Sequence, residues 1–238
     1  DYYGGAYGPA VEALYRYINA YPETHSADAH WYAGLSFLAA GSPDLAAKEF
    51  KTLIETHPGA ARVGDAWMGL AETYADQGDI QAAVTAYRRF VESDPGHSRA
   101  PEALWKAAQL LERDGRLESA AAAYMDCHVR YPNSDYGAPA LFRNGLQSYR
   151  LGDLAQAAIA WNTLASLYPA SFCYPAVTDW RTRAEIYPPN SPCRPAALLW
   201  LGKVRLAQGD LQAARAAFAE AAAADPQGYY GLRAAELT

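Results

Sequence analysis

The sequence predicts an all-α fold, a right-handed superhelical solenoid of antiparallel helix pairs with five to six repeats of about 37 residues. Three observations predict it. Six apolar segments each end in a proline, at Pro22, Pro58, Pro95, Pro132, Pro169 and Pro226, with intervals of 36, 37, 37, 37 and 57 residues. Twelve residues before each proline stands an alanine (Ala10, Ala46, Ala83, Ala120, Ala157, Ala214), and eight before it a large apolar residue (Leu14, Phe50, Tyr87, Tyr124, Trp161, Phe218). Seventeen before the last five prolines stand Gly41, Gly78, Gly115, Gly152 and Gly209. An alanine-rich chain matches alanines by chance, but it does not also place glycines and aromatics in the same register.

Each element of the unit has a physical reason. The first helix ends at the glycine, which takes a left-handed C-cap without a Cβ penalty. Asp79, Asp153 and Asp210 follow directly and suit the free amides and positive dipole end of the second helix. The alanine column lets the two helices approach, and the bulky column fills the space beside it. The proline stops the second helix, because it donates no amide hydrogen and restricts the residue before it. One array of such units spans residues 1–238, interrupted by an insertion at about 170–193.

The best unit carries Trp67, Leu70, Ala71, Tyr74, Gly78, Ala83, Tyr87 and Pro95. In this the chain resembles the tetratricopeptide repeat family, arrays of helix–turn–helix units whose period is about 34 residues. Asn144 replaces the Leu70 type, and Ser148 and Arg205 the Tyr74 type, in looser units. The longer period implies a longer turn, as in Tyr131-Pro132-Asn133-Ser134-Asp135-Tyr136. That variant is similar to the repeats of bacterial cell-envelope proteins, so the resemblance implies a periplasmic or extracytoplasmic interaction scaffold; the cytoplasm is the alternative location. Trp200-Leu201-Gly202-Lys203, Gln208-Gly209-Asp210 and Tyr229 to Ala235 resemble a second group over residues 194–238, the helical region of soluble lytic transglycosylases. That likeness implies a helical arm whose peptidoglycan-cleaving domain follows Thr238.

Composition limits the partners. The 238 residues are 51% hydrophobic and 19% charged, which excludes a disordered chain, and no apolar run is long enough to span a membrane. A net charge of −6 argues against nucleic acid as the main partner. A protein or peptide is the expected partner, with peptidoglycan as the alternative. The chain starts at Asp1 without a signal pattern, and Tyr229–Leu237 reads as a helix just begun, so a processed piece of a longer protein is expected.

Cys173 and Cys193 bracket the insertion. They form either a disulfide clamping its base or two unrelated thiols of a cytosolic protein. Within the insert, residues 176–186 suit a short helix, and Pro188, Pro189 and Pro192 an extended stretch. Cys127, at the position of Phe90, Leu164 and Ala221, reads as an inert buried thiol.

Catalytic chemistry is absent from the motifs. His25, His30, His57, His97 and His128 form no i, i+4 pair or HExxH pattern, and no phosphate loop, nucleophile elbow or zinc spacing occurs. No metal or cofactor is expected. The glutamate-serine pairs Glu92-Ser93 and Glu118-Ser119 fall inside second helices with no substrate loop beside them. The fragment therefore reads as non-catalytic.

Ten residues before each glycine stand Trp31, Met68, Trp105, Phe142 and Leu199. The family's geometry puts this column on the groove side of the first helices. Four further along stand Leu35, Glu72, Gln109, Leu146 and Lys203, and three beyond those Leu38, Ala75, Glu112, Tyr149 and Leu206. The candidate groove is thus Trp31, Met68, Glu72, Trp105, Gln109, Glu112, Phe142 and Tyr149. The aromatics serve either as inter-repeat packing or as stacking surfaces for an extended ligand. Carboxylate-clamp arrays of the family use Lys and Asn at such positions; Trp, Met, Glu and Gln here argue against a chaperone C-terminus as ligand.

Overall fold

The glycine column sets the local architecture. In the computed structural model, which describes residues 7–21, 26–173 and 192–238, each of these glycines has a positive φ, from 74° to 81°. Gly78 shows what that does. It caps α4 (Val63–Gln77) while the amide of Asp79 donates to Tyr74 O at 2.9 Å, the six-residue closure of a Schellman turn. Asp79 then caps α5 (Ile80–Ser93), its carboxylate accepting from the Ala82 amide at 3.0 Å.

The same pair of caps recurs. Asp153 opens α9 (Leu154–Leu167) and Asp210 opens α11 (Leu211–Ala224), each accepting an amide three residues on. Second helices end two residues before their proline, at Thr56, Ser93, Arg130, Leu167 and Ala224. The longer period is accounted for by two consecutive turns, the first of which contains the proline. Ala60 N to His57 O and Val63 N to Ala60 O form one such pair; Ser134 N to Tyr131 O and Gly137 N to Ser134 O form another.

The described residues hold twelve helices and one isolated antiparallel bridge. They fall into two compact units, residues 1–110 and 111–238. The first holds α1 (Tyr7–Ala20), α2 (Ser26–Ala39), α3 (Pro43–Thr56), α4, α5 and most of α6 (Ala100–Arg113). The second holds the end of α6, α7 (Leu117–Arg130), α8 (Gly137–Arg150), α9, α10 (Cys193–Ala207), α11 and α12 (Tyr229–Ala235). Within each unit a first helix packs on its own second helix, and that helix on the next first helix: α2 on α3 on α4, and α8 on α9 on α10 on α11.

The packing follows the columns. Five of the six alanines are essentially sealed, as are Phe50, Tyr87, Tyr124, Trp161 and Phe218; Leu14 in α1 is half-buried. A further small column lies opposite the bulky one, seven residues before each glycine: Gly34, Ala71, Ala108, Gly145 and Gly202. A Cβ on Gly34 would stand 2.4 Å from the Phe50 ring, and one on Gly202 2.3 Å from Phe218. Glycine occurs where the bulky partner is Phe or Trp, and alanine where it is Tyr, so side-chain size is matched pair by pair.

After Pro169 the described chain departs from the repeat. Ser171 N still bonds Tyr168 O, but the second turn is replaced by a bridge between Phe172 and Pro192, with Cys193 N donating to Ser171 O at 2.7 Å. The two ends of the insertion are thereby held side by side. Pro22, His25, the expected helix at 176–186 and Pro188-Pro189 lie outside the described residues.

Candidate functional site

The outer row of the first helices is shifted by one residue from the column that the family geometry suggests. Met68, Trp105, Phe142 and Leu199 are buried, and Trp31 is half-buried, its ring tilted against Phe50 at 5.2 Å and reaching Gly69 of the next first helix. These side chains pack between helices and offer no open stacking surface. The next position along holds Tyr32, Gly69, Lys106, Arg143 and Trp200; all but Gly69 keep part of their side chain in solvent. Glu72, Gln109, Glu112 and Tyr149 of the candidate groove are also partly exposed.

In the first unit the partly exposed row is a closed ionic network. Glu72 Oε1 accepts from Arg99 Nη2 and from Lys106 Nζ, both at 2.9 Å. Glu102 accepts from Arg99 Nε at 2.8 Å and pairs with Lys106 at 2.8 Å. Partial burial opposes ionisation of Glu102, yet the hydrogen bonds of Arg99 and Lys106 outweigh it and hold the carboxyl below its ordinary range. Two carboxylates and two cations cancel, so this patch has its charges satisfied.

A second network ties α1, α2 and α3. Tyr15 Oη donates to Glu49 Oε1 at 2.5 Å, and His30 Nδ1 lies 2.7 Å from Glu49 Oε2. Glu49 is buried. Burial would raise its pKa, but the bonds from His30 and Tyr15 win and lower it. His57 belongs nearby, its Nε2 2.7 Å from Ser26 Oγ and its ring 6.2 Å from that of His30.

In the second unit Glu112 accepts from Tyr124 Oη at 2.6 Å and Arg143 Nη1 at 3.1 Å, with Arg150 at 3.8 Å. The same unit carries an aromatic ledge. Trp161 is sealed and stacks on Trp200 at 5.5 Å and 29°, and Tyr149 meets Trp200 edge-on at 5.6 Å. Lys203 Nζ sits 4.0 Å from the Trp200 ring centre. Lys203 has no carboxylate partner among the described residues. Burial lowers its pKa first, and repulsion from Arg233 lowers it further. The indole N–H of Trp200 is likewise unsatisfied.

The remaining candidates are structural. Cys127 is sealed in α7, and burial pushes its thiol up to about 12, which suits an unreactive group. Glu92 is exposed and pairs with Arg89 at 3.1 Å; Glu118 is exposed in the first turn of α7. Cys173 and Cys193 are both sealed, as thiols hydrogen-bonded to each other. Among the described residues no cluster of His, Cys, Asp or Glu could hold a metal, and no helix is long and apolar enough to cross a membrane.

The sequence columns had no means of singling out Trp200. Four of the five residues in its column, Tyr32, Lys106, Arg143 and Trp200, are large or charged, and Gly69 breaks the pattern.

Helix pairs of this kind, capped by glycine and aspartate and stopped by proline, define a helical repeat protein. The sequence profile of the tetratricopeptide repeat matches residues 5–61, 33–98, 68–135 and 183–229, more than half of the chain, and the chain belongs to that family. Solved structures agree on the fold. YrrB, described as a TPR protein with an unusual peptide-binding site, superposes with a TM-score of 0.55 at 13% identity, over 95% of this chain and 99% of its own. A MamA crystal structure gives 0.54 at 18% identity, over 85% and 93%. MamA from Desulfovibrio magneticus RS-1 gives 0.50 at 17%, over 85% and 97%. No curated protein matches the chain significantly.

Proposed function

We propose that the protein is a non-catalytic scaffold of the bacterial cell envelope that holds an extended segment of a partner protein on the first helices of its repeats. The observation that carries this reading is the ledge of Tyr149, Trp200 and Lys203, on α8 and α10. It combines half-exposed rings with a cation that no described carboxylate neutralises, whereas the Glu72–Glu102 patch is already satisfied. A segment with an acidic side chain next to an apolar one fits such a surface: the carboxylate pairs with Lys203 and the apolar group lies on the rings. YrrB, with its peptide-binding site, supports peptide capture as a use of this fold. The placement in the envelope rests on the long 37-residue repeat.

Selection from a displayed peptide library tests the reading. Acidic-apolar peptides should emerge, and Lys203→Glu should weaken their binding at least tenfold, about 1.4 kcal/mol, with unchanged melting. Peptides whose affinity ignores both Lys203→Glu and Tyr149→Ala would overturn it. Residues 194–238 supply the alternative ligand through their likeness to the arm of lytic transglycosylases. Co-sedimentation with purified peptidoglycan sacculi, lost on Trp200→Ala, would select a glycan strand over a peptide.

A further inference from the structure

The cysteines at the base of the insertion form a site of their own, independent of any ligand on the first helices. The repeat turn after Pro169 begins normally, with Ser171 N on Tyr168 O, and is then diverted into the Phe172–Pro192 bridge. This bridge and the 2.7 Å bond from Cys193 N to Ser171 O bring together two strands of chain separated by 18 residues of insertion, 174–191. In an antiparallel pairing of 172 with 192, residues 173 and 193 project to the same face. That face is inward. Both cysteines are 0% exposed, they belong to the core that contains Leu164, Ala196 and Ala197, and their thiols are hydrogen-bonded to each other. Phe172, on the opposite face, is 51% exposed. A pair of sealed, hydrogen-bonded thiols on one face of the bridge, at the two ends of the insertion, places two nucleophilic sulfurs side by side.

We propose that Cys173 and Cys193 are an oxidative modification site, closed by thiol–disulfide exchange into a disulfide that staples the stem of the insertion to the first turn of α10. The oxidant is a disulfide-bearing donor, either a small molecule or an oxidoreductase. One cysteine thiolate attacks a donor sulfur and expels the first donor thiol. The second cysteine then attacks the mixed disulfide and expels the other. Two S–H bonds are lost and one S–S bond is made; the two electrons and two protons leave as two donor thiols. Exchange takes place before the stem is buried, since burial holds the folded Cys173 thiol far above its ordinary range and suppresses its thiolate. Once closed, the bond lies out of reach of soluble reductants. The staple constrains the start of α10, the helix that carries Trp200 and Lys203, and removes loop freedom from the unfolded chain.

The full chain refolded from denaturant with oxidised glutathione tests this. The intact mass should fall by about 2 Da relative to the reduced chain, the loss of two hydrogens in forming one bridge. Digestion without reductant should give one peptide pair joining Cys173 to Cys193, with Cys127 alkylated. Melting of the oxidised chain should lie about 5 °C or more above that of the reduced chain. The double variant Cys173→Ser, Cys193→Ser should lose this redox dependence, and Cys127→Ala should keep it. Full alkylation of Cys173 and Cys193 after oxidative refolding, or a bridge that involves Cys127, would overturn the proposal.

Discussion

At the scale of the residue, the fold is governed by pairs of side chains matched in size. Gly202 exists because the Phe218 ring occupies the space a methyl would need, at 2.3 Å from the ideal Cβ. Gly202→Ala should therefore destabilise the chain by about 2 kcal/mol, the usual cost of overpacking a filled interior, read as a lower melting temperature. Charge is matched as closely. Glu49 is buried with a folded-state pKa held below its unfolded value. The stability it contributes is present above the unfolded value, about 4.3, and is lost as pH falls through the lower folded value. Melting of the wild type should decline over that acidic window, and Glu49→Gln should show a shallower decline. Equal slopes for the two proteins would refute the role given to the His30–Glu49–Tyr15 contacts. Which residues face outward was not legible in the sequence at this scale. Adjacent positions on a helix differ by about 100° of rotation, and both neighbouring columns, Trp105 with Phe142 and Lys106 with Arg143, carry large side chains. Periodicity alone could not decide between them.

At the scale of the element, helix ends were the most legible feature. Glycine with positive φ and aspartate capping are local chemistry, and the structure shows both at Gly78-Asp79, Gly152-Asp153 and Gly209-Asp210. Asp153→Ala removes the acceptor for the Gln156 amide and should cost about 1 kcal/mol; thermal unfolding followed by circular dichroism reads the loss. Gly41 and Gly115 show that the aspartate is dispensable: Ser42 and Arg116 follow them as N-caps, without a side-chain cap bond. The three extra residues per unit imply a longer turn, and they wind as a second turn of fixed hydrogen bonding. The insertion was legible as an interruption of the period. Its paired stem was not, because the pairing of Phe172 with Pro192 is a contact between residues distant in sequence.

At the scale of the whole molecule, stability is distributed over two units, each with its own buried columns. In repeat arrays stability is a sum of unit and nearest-neighbour terms. Gly34→Ala should then speed amide exchange in α2 to α4 while leaving α9 to α11 protected, and Gly202→Ala should do the reverse. Uniform acceleration of exchange throughout by either variant would indicate a single cooperative interior instead.

The amino-acid sequence alone determined the repeat, its length, the caps and stops of its helices and the columns that pack. Each of these depends on residues a few positions apart, whose φ preferences, missing amides and sizes act locally and recur in register. Only the tertiary structure decided that Met68, Trp105, Phe142 and Leu199 are interior and that Tyr149, Trp200 and Lys203 meet on one face. It also decided that Glu72 and Glu112 are paired with cations from the following first helix, and that Cys173 and Cys193 touch. Those outcomes depend on how far each helix is rotated about its axis against its neighbours. That rotation is fixed by the fit of whole faces, Phe218 into Gly202 and Phe50 between Gly34 and Gly69, which no single stretch of the chain contains.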